Sequence, residues 1–532
     1  MSETAVGTGH KRTWSDVTSI EGFLRFHSDT QPDAPAATFD GRTFSYGQIG
    51  DRTNRIANGL AAEGVRLGER VAIIDKNDHG TLEILIGARK LGAIEVAINW
   101  RLAPPEMSYI INDAEAKILF VHQDFADKLA AITADTTTVR KIIFFGSHPD
   151  HESFETWLAR QDATDPGHTS DPDEIALLLY TSGTTGRPKG TMLANRNILA
   201  FIHAAAEAFG TRPDGVHLIC IPLFHVGGLV WSLFAMAQGN HVVGMREFDP
   251  DALIAAVPHY GVTHGMMVPA VIQMLLSRPA ARSADFSTLQ GITYGGSSIS
   301  EKVLLDALAT FKCGLYGMYG ATELSFGLTM LPPSDHDAES RPELLRSVGK
   351  PLPGTTIKIV DPATLIELGE QEVGEIWVMS PQRALGYWKR PEDTAQTLRV
   401  DGWYRSGDLG YIKDGYLYLN DRLNDMVVSG GENVYPAEIE RVLYEHPDVS
   451  EAAVFGVPDE TWGEVARAAV VLTKQSTLTQ AELIGFLRER LAGYKCPKHI
   501  DFVDALPRTP SGKVQRYVLR EPYWAGRSRR IN

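Results

Sequence analysis

Tyr180-Thr-Ser-Gly-Thr-Thr-Gly-Arg-Pro-Lys-Gly190 is the stretch on which the reading of this chain turns. It closes an apolar run over 176–180 that reads as a buried strand, and its glycines, hydroxyls and proline demand a loop at the strand's end. Small residues with one lysine directly after a strand have the chemistry of a polyphosphate cradle. Gly183 and Gly186 let phosphate oxygens approach the backbone, and Ser182, Thr184 and Thr185 offer hydroxyl donors with Thr181 at the loop's entrance. Lys189 adds a compact positive charge for the β- and γ-phosphate oxygens. The Gly-Lys-Ser/Thr ending of a Walker loop is absent, and taken alone the string also suits an ordinary Gly/Thr surface loop.

On either side of this loop, from about Phe44 to Ser334, short apolar runs alternate with amphipathic stretches, as over 71–74, 81–91 and 94–98. That rhythm predicts βαβ units and parallel sheets. After about Gly349 the pattern turns β-rich, over 355–360, 374–379 and the alternating 411–419, and predicts a compact β subdomain. Beyond Arg422 a fresh mixed pattern begins, with a helix from Pro436 to about Glu445, strands near Ala452 and Ala468, and a helix over 480–491. The expected fold is α/β: a large N-terminal domain of βαβ sheet lobes plus a β subdomain over 1–421, a hinge at 422–425, and a small mobile C-terminal α+β domain over 426–532.

Composition narrows the function. Apolar residues make up 43% and charged residues 22% of the 532 residues, the balance of a globular protein with a sizeable core. A formal net charge of −15 argues against a nucleic-acid or anionic-membrane binder. The most apolar windows, over 198–208 and 228–237, are too short for a transmembrane anchor, and the polar start of the chain lacks a signal peptide, so a cytoplasmic address is expected. Cys220, Cys313 and Cys496 are widely spaced and read as reduced thiols, not a zinc or disulfide framework.

Further strings follow in order: Pro222-Leu-Phe-His225, Gly295-Gly296-Ser297-Ser298, Tyr319-Gly-Ala-Thr-Glu323, Tyr404-Arg-Ser-Gly-Asp408, Asp421-Arg422, Ser429-Gly-Gly-Glu-Asn433 and Pro507-Arg-Thr-Pro-Ser-Gly-Lys513. Together with the 180–190 loop they closely resemble the signatures of the adenylate-forming superfamily, which includes acyl-CoA synthetases, adenylation domains of peptide synthetases and beetle luciferase. The likeness covers nearly the whole chain. It implies an ATP-dependent acid–CoA ligase that forms an acyl-adenylate and then a thioester, with ATP, Mg²⁺ and CoA as co-reactants.

The resemblance also implies roles for residues. Lys513, Thr322 and Glu323 form the catalytic set: Glu323 holds Mg²⁺, Thr322 contacts the α-phosphate, and Lys513 bridges the substrate carboxylate and the α-phosphate. Attack of one anion on another needs such a charge bridge, whereas the ionised carboxylate needs no general base. Tyr319 stacks on adenine, with Gly296, Ser297, Met318 and Gly320 lining the nucleotide, while Asp408 accepts from the ribose hydroxyls and Arg422 reaches the ribose or phosphates. His225, Trp231, Gly295, Gly296, Met318 and Phe326 outline an acyl pocket without a charged anchor, so the acid is expected to be apolar beyond its carboxylate. A histidine that caps its helix is the plain alternative for His225, as a turn-bracing carboxylate is for Asp408.

Rotation of the small domain would withdraw Lys513 and bring the Gly430-Gly431 face to the site for the CoA thiol, pivoting at Asn424, where most relatives of the family carry aspartate or lysine. An uncharged pivot is expected to shift the balance between the two orientations. Three alternatives remain at this stage: loading of a carrier protein or a partner ligase in trans, a silent nucleotide-binding protein on the same fold, and a light-emitting oxygenase. His225 stands where amino-acid-activating relatives usually carry aspartate, which disfavours an amino-acid substrate. A homodimer is compatible with the sequence.

Overall fold

The computed structural model describes residues 13–181, 188–209, 214–297, 299–423, 425–429, 432–459, 462–474, 476–508 and 514–525. Two large sheets dominate it. The nine-stranded sheet runs Lys350–Pro351, Phe326–Leu331, Gly314–Ala321, Gly291–Gly295, His264–Met267, Val216–Ile219, His241–Gly244, Pro35–Phe39 and Arg42–Ser45. The eight-stranded sheet runs Gly386–Tyr387, Lys189–Ala194, Ile175–Thr181, Ile94–Ala97, Arg70–Ile74, Ile118–His122, Lys141–Phe145 and Glu152–Ser153.

Several inner strands of both sheets pair in parallel and are buried along their whole length, as in Arg70–Ile74 and Gly291–Gly295. Strands covered on both faces need near-continuous apolar runs, which is what the sequence supplies there. One hydrophobic cluster joins the two sheets through helices His79–Leu91, Asn195–Phe209 and Val226–Ala237. The expected βαβ rhythm is therefore observed, with Ile175–Thr181 as the strand before the glycine-rich loop.

Lys189 and Gly190, expected within that loop, instead begin the strand Lys189–Ala194, which pairs antiparallel with Ile175–Thr181 so that Thr181 faces Lys189. A second correction concerns 411–419, whose alternation suggested one strand. It is a hairpin of Tyr404–Lys413 and Tyr416–Arg422 turning at Asp414 and Gly415, both at positive φ (52° and 78°). Two successive positive φ angles match the twist of the flanking strands, and Asp-Gly is the pair that adopts them most readily.

These strands belong to a four-stranded antiparallel sheet with Thr356–Val360 and Gly374–Met379, which has its own apolar core. A five-stranded sheet built on the hairpin Val449–Asp459 and Gly463–Leu472 carries helices Pro436–Tyr444 and Gln480–Arg488. Its two clusters draw their members from Val427 to Leu519, and the clusters of the larger part from residues before 420. The architecture is mixed α/β with a large N-terminal domain and a smaller C-terminal one. Among the described residues no helix is long and apolar enough to cross a membrane.

Candidate active site

Among the described residues, Lys189, Tyr319, Glu323 and Asp408 gather where the three sheets of the large domain meet. Strand Gly314–Ala321 carries Met318, Tyr319 and Gly320 to the end of the nine-stranded sheet and runs into a short 3₁₀ turn, Thr322–Leu324, that presents Thr322 and Glu323. From the eight-stranded sheet, Tyr387 donates its hydroxyl to Glu323 Oε1 at 2.7 Å. Burial and the charge of Glu323 raise the Tyr387 phenol above its ordinary range, so the group is a hydrogen-bond donor throughout the neutral range.

Lys189 stands beside this pair. Its ammonium lies 5.6 Å from the Tyr387 ring centroid and 2.5 Å from Asp393 Oδ1. Tyr387 is held by its strand, which pairs with Lys189–Ala194, while the Ala384 amide donates to the Glu323 carbonyl at 2.8 Å. The lysine proposed for the phosphates and the carboxylate proposed for the metal are thus joined through one buried tyrosine. The 180–190 loop is anchored from below, where Tyr180 donates to Asp113 Oδ2 at 2.7 Å and Tyr109 to the Pro188 carbonyl at 3.3 Å.

The third sheet contributes Asp408, which accepts from the Tyr319 hydroxyl at 2.6 Å. Expected in a β-turn, Asp408 lies instead inside the strand Tyr404–Lys413, directly after Gly407 at φ 68° and opposite Arg422. Gly407 breaks the strand's regularity, and the carboxylate is aimed across to the neighbouring sheet. Tyr404, buried next to Glu323, Tyr387, Tyr319 and Asp408, has its phenol pushed well up, chiefly by desolvation.

Strand Gly291–Gly295 ends beside Met318, and Gly296 turns out of it at φ 82°, a conformation that suits glycine and leaves Gly296 and Ser297 exposed. His225 caps helix Val226–Ala237, its Nδ1 accepting from the Gly227 amide at 3.1 Å, so the capping alternative describes its geometry. Phe326, at φ 133°, swings its ring against Phe201 (centroids 5.1 Å apart) and towards Trp231 (6.4 Å). Trp231 is fully buried on the same helix as the His225 cap.

Ser182, Gly183, Thr184, Thr185, Asn424, Gly430, Gly431 and Lys513 lie outside the described residues, as does the side chain of Arg422. Tyr387 and Asp393 were not singled out in the sequence, and Tyr404 was quoted in its string without a role. The first two sit in Gly386-Tyr-Trp-Lys-Arg-Pro-Glu-Asp393, an aromatic and charged run whose proline opens the helix Pro391–Thr397, and that composition was the available signal.

Comparison with known proteins adds two matching family models, "AMP-binding enzyme" over residues 24–388 and "AMP-binding enzyme C-terminal domain" over 438–513. A fatty acid–[acyl-carrier-protein] ligase of Streptomyces coeruleorubidus is 40% identical over 516 residues, covering 95% of this chain and 97% of that protein. A feruloyl-CoA synthase of an Amycolatopsis species is 37% identical, covering 92% and 96%. Among solved structures, ATP-bound MatB from Rhodopseudomonas palustris superposes with a TM-score of 0.86 at 31% identity, covering 95% and 99%.

Proposed function

Because the chain belongs to the AMP-binding enzyme family, we propose that it is an AMP-forming acid–CoA ligase, activating an apolar carboxylic acid with ATP and passing the acyl group to CoA. The observation that carries the reading is the convergence of Lys189, Tyr387 and Glu323 on one side and Tyr319 with Asp408 on the other, at a three-sheet junction bordered by Gly295 and His225.

On this reading Lys189 and the 182–187 loop hold the β- and γ-phosphates, Tyr319 and Asp408 hold adenosine, and Lys513 aligns the carboxylate with the α-phosphate. The carboxylate already carries the electron pair that attacks phosphorus, and pyrophosphate leaves with the electrons of the broken bond. Positioning and charge neutralisation are therefore the whole task of the protein in this step. Mg²⁺ suits the donor set: a single carboxylate, Glu323, beside hydroxyls, with no cluster of three His, Cys, Asp or Glu ligands among the described residues, matches an ion that takes its other ligands from phosphates and water. Bound there, it would neutralise charge on the departing pyrophosphate. We assign 1–421, 422–425 and 426–532 to the ATP and acyl platform, the hinge and the mobile carrier of Lys513, with Gly430 and Gly431 facing the pantetheine thiol in the second step.

A second reading has its own support: the 40%-identical relative is a ligase to an acyl carrier protein, so the thiol acceptor here is either free CoA or a carrier's pantetheine. ATP–pyrophosphate exchange across a panel of acids, followed by mass spectrometry of products with CoA or a carrier protein, separates the two. Exchange with no acid at all defeats both.

A further inference from the structure

The acyl side of the site has an inner end with unusual chemistry. Side chains on one face of the nine-stranded sheet lead inward from Gly295 and Met318 through Thr293, Tyr316 and Met266 to Gly291, His264 and His217, all in register across neighbouring strands. Four residues of strand separate Gly295 from Gly291, so the inner end lies about 13 Å from the mouth. A methyl group at Gly291 would come within 2.8 Å of the Tyr316 ring and 3.3 Å of His264 Cδ2, which fixes these side chains on that face.

His217 and Trp231 meet there with ring centroids 5.6 Å apart, and His264 stacks on His217 at 5.1 Å. The His217 tautomer follows from its neighbours. Asn240 Oδ1 accepts from the Gly215 amide at 3.1 Å, so Asn240 Nδ2 is the amide donor that meets His217 Nε2 at 3.1 Å. Burial, with His264 adding to it, depresses the His217 pKa to about 3. The neutral ring accepts at Nε2 and must therefore carry its proton on Nδ1. That Nδ1–H is buried without a hydrogen-bond partner, and so is the Trp231 Nε1–H. Two adjacent buried donors lack an acceptor, a combination that native interiors avoid unless something else supplies one.

We propose that His217 Nδ1–H and Trp231 Nε1–H form a two-donor anchor at the inner end of the acyl pocket, and that the preferred acid carries an uncharged oxygen acceptor, keto, ether or hydroxyl, remote from its carboxylate. The inference rests on the ligase reading and names the substrate class for it. A second carboxylate is a poor fit, because both imidazoles there are neutral at pH 7 and bring no positive charge to a buried anion. A plain hydrocarbon end is also a poor fit, since it would seal both donors away from any acceptor.

The test is ATP–pyrophosphate exchange by the full-length protein with decanoate and a series of mono-oxodecanoates in which the keto group is walked along the chain, together with phenylpropanoate and its para-methoxy analogue. The best-placed oxygen should raise kcat/KM over the matched hydrocarbon by about 10- to 100-fold, as a site built around hydrogen-bond donors discriminates. His217→Phe and Trp231→Phe should each bring that ratio towards one, whatever their absolute rates. Loss of activity from a merely structural change would leave the ratio where it was. Equal use of hydrocarbon and oxygenated acids by the wild type, or a ratio that persists in both variants, overturns the anchor while leaving the ligase reading intact. Exchange with no acid overturns both.

Discussion

Tyr387→Phe isolates one atom of the site. The substitution removes the hydroxyl that donates to Glu323 Oε1 at 2.7 Å and keeps the ring, which is buried and lies under the Lys189 ammonium. A hydrogen bond to a charged group contributes about 1.5–3 kcal/mol, so losing it should lower kcat/KM for Mg-ATP by about 10- to 150-fold if the bond orients Glu323 in the transition state. The fold should be little affected, because the strand pairing of Tyr387 with Thr191 is backbone only. The assay is ATP–pyrophosphate exchange with Mg²⁺ titrated at fixed ATP, for wild type, Tyr387→Phe, Glu323→Gln and the double variant. Since the tyrosine acts through the carboxylate, the double variant should be no slower than Glu323→Gln alone. A phenylalanine enzyme within about twofold of wild type, or losses that multiply in the double variant, would refute the reasoning.

Lys513→Ala should abolish acyl-adenylate formation while sparing ATP binding and the use of presynthesised acyl-adenylate with CoA; near-normal adenylation would break the proposed charge bridge. Asn424→Lys should shift partitioning between adenylate release and thioester, and identical product ratios by mass spectrometry would remove the pivot's uncharged character as a cause. His217 and His264 have folded pKa values of about 3 and 4 against an ordinary 6.5, so the unfolded chain binds protons more readily. Stability from this source is complete above the unfolded pKa and falls as pH drops towards the folded values, by about 2 kcal/mol per imidazole near pH 5. Thermal unfolding of wild type and His217→Phe between neutral and acid pH should show a shallower decline for the variant, and parallel curves would contradict the burial argument.

The sequence was legible where chemistry is local. The glycines, hydroxyls and proline of the 180–190 string mark the end of the strand Ile175–Thr181, and the parallel strands announce themselves as unbroken apolar runs. It was opaque where the fold joins distant segments. Nothing in Pro35–Phe39 says that it pairs with His241–Gly244 to extend a sheet built some two hundred residues later, because parallel register is set by tertiary packing. Tyr387 and Asp393 escaped for the same reason: each is 64 or more residues from the partner it serves, Glu323 or Lys189. The setting of Asp408 was misread, since the same Ser-Gly-Asp letters serve a turn or a bulged strand.

The placement of the two chemistries along the nine-stranded sheet has a mechanistic consequence. On the proposed reading the phosphate and ribose groups lie at the carboxyl ends of the parallel strands, beyond Gly295 and Ala321, and the acyl face descends the same strands towards their amino ends. On the same reading the reacting carboxylate sits at Gly295–Gly296, where the two paths meet. Of the large domain, Met318 is the strand partner of Gly295 at that point. The C-terminal domain has a core that shares no member with those of the large domain, and on the proposed reading it is the part that brings a cationic group to that point and takes it away. On that reading the charge bridge belongs to a separate body and is not fixed in the platform itself.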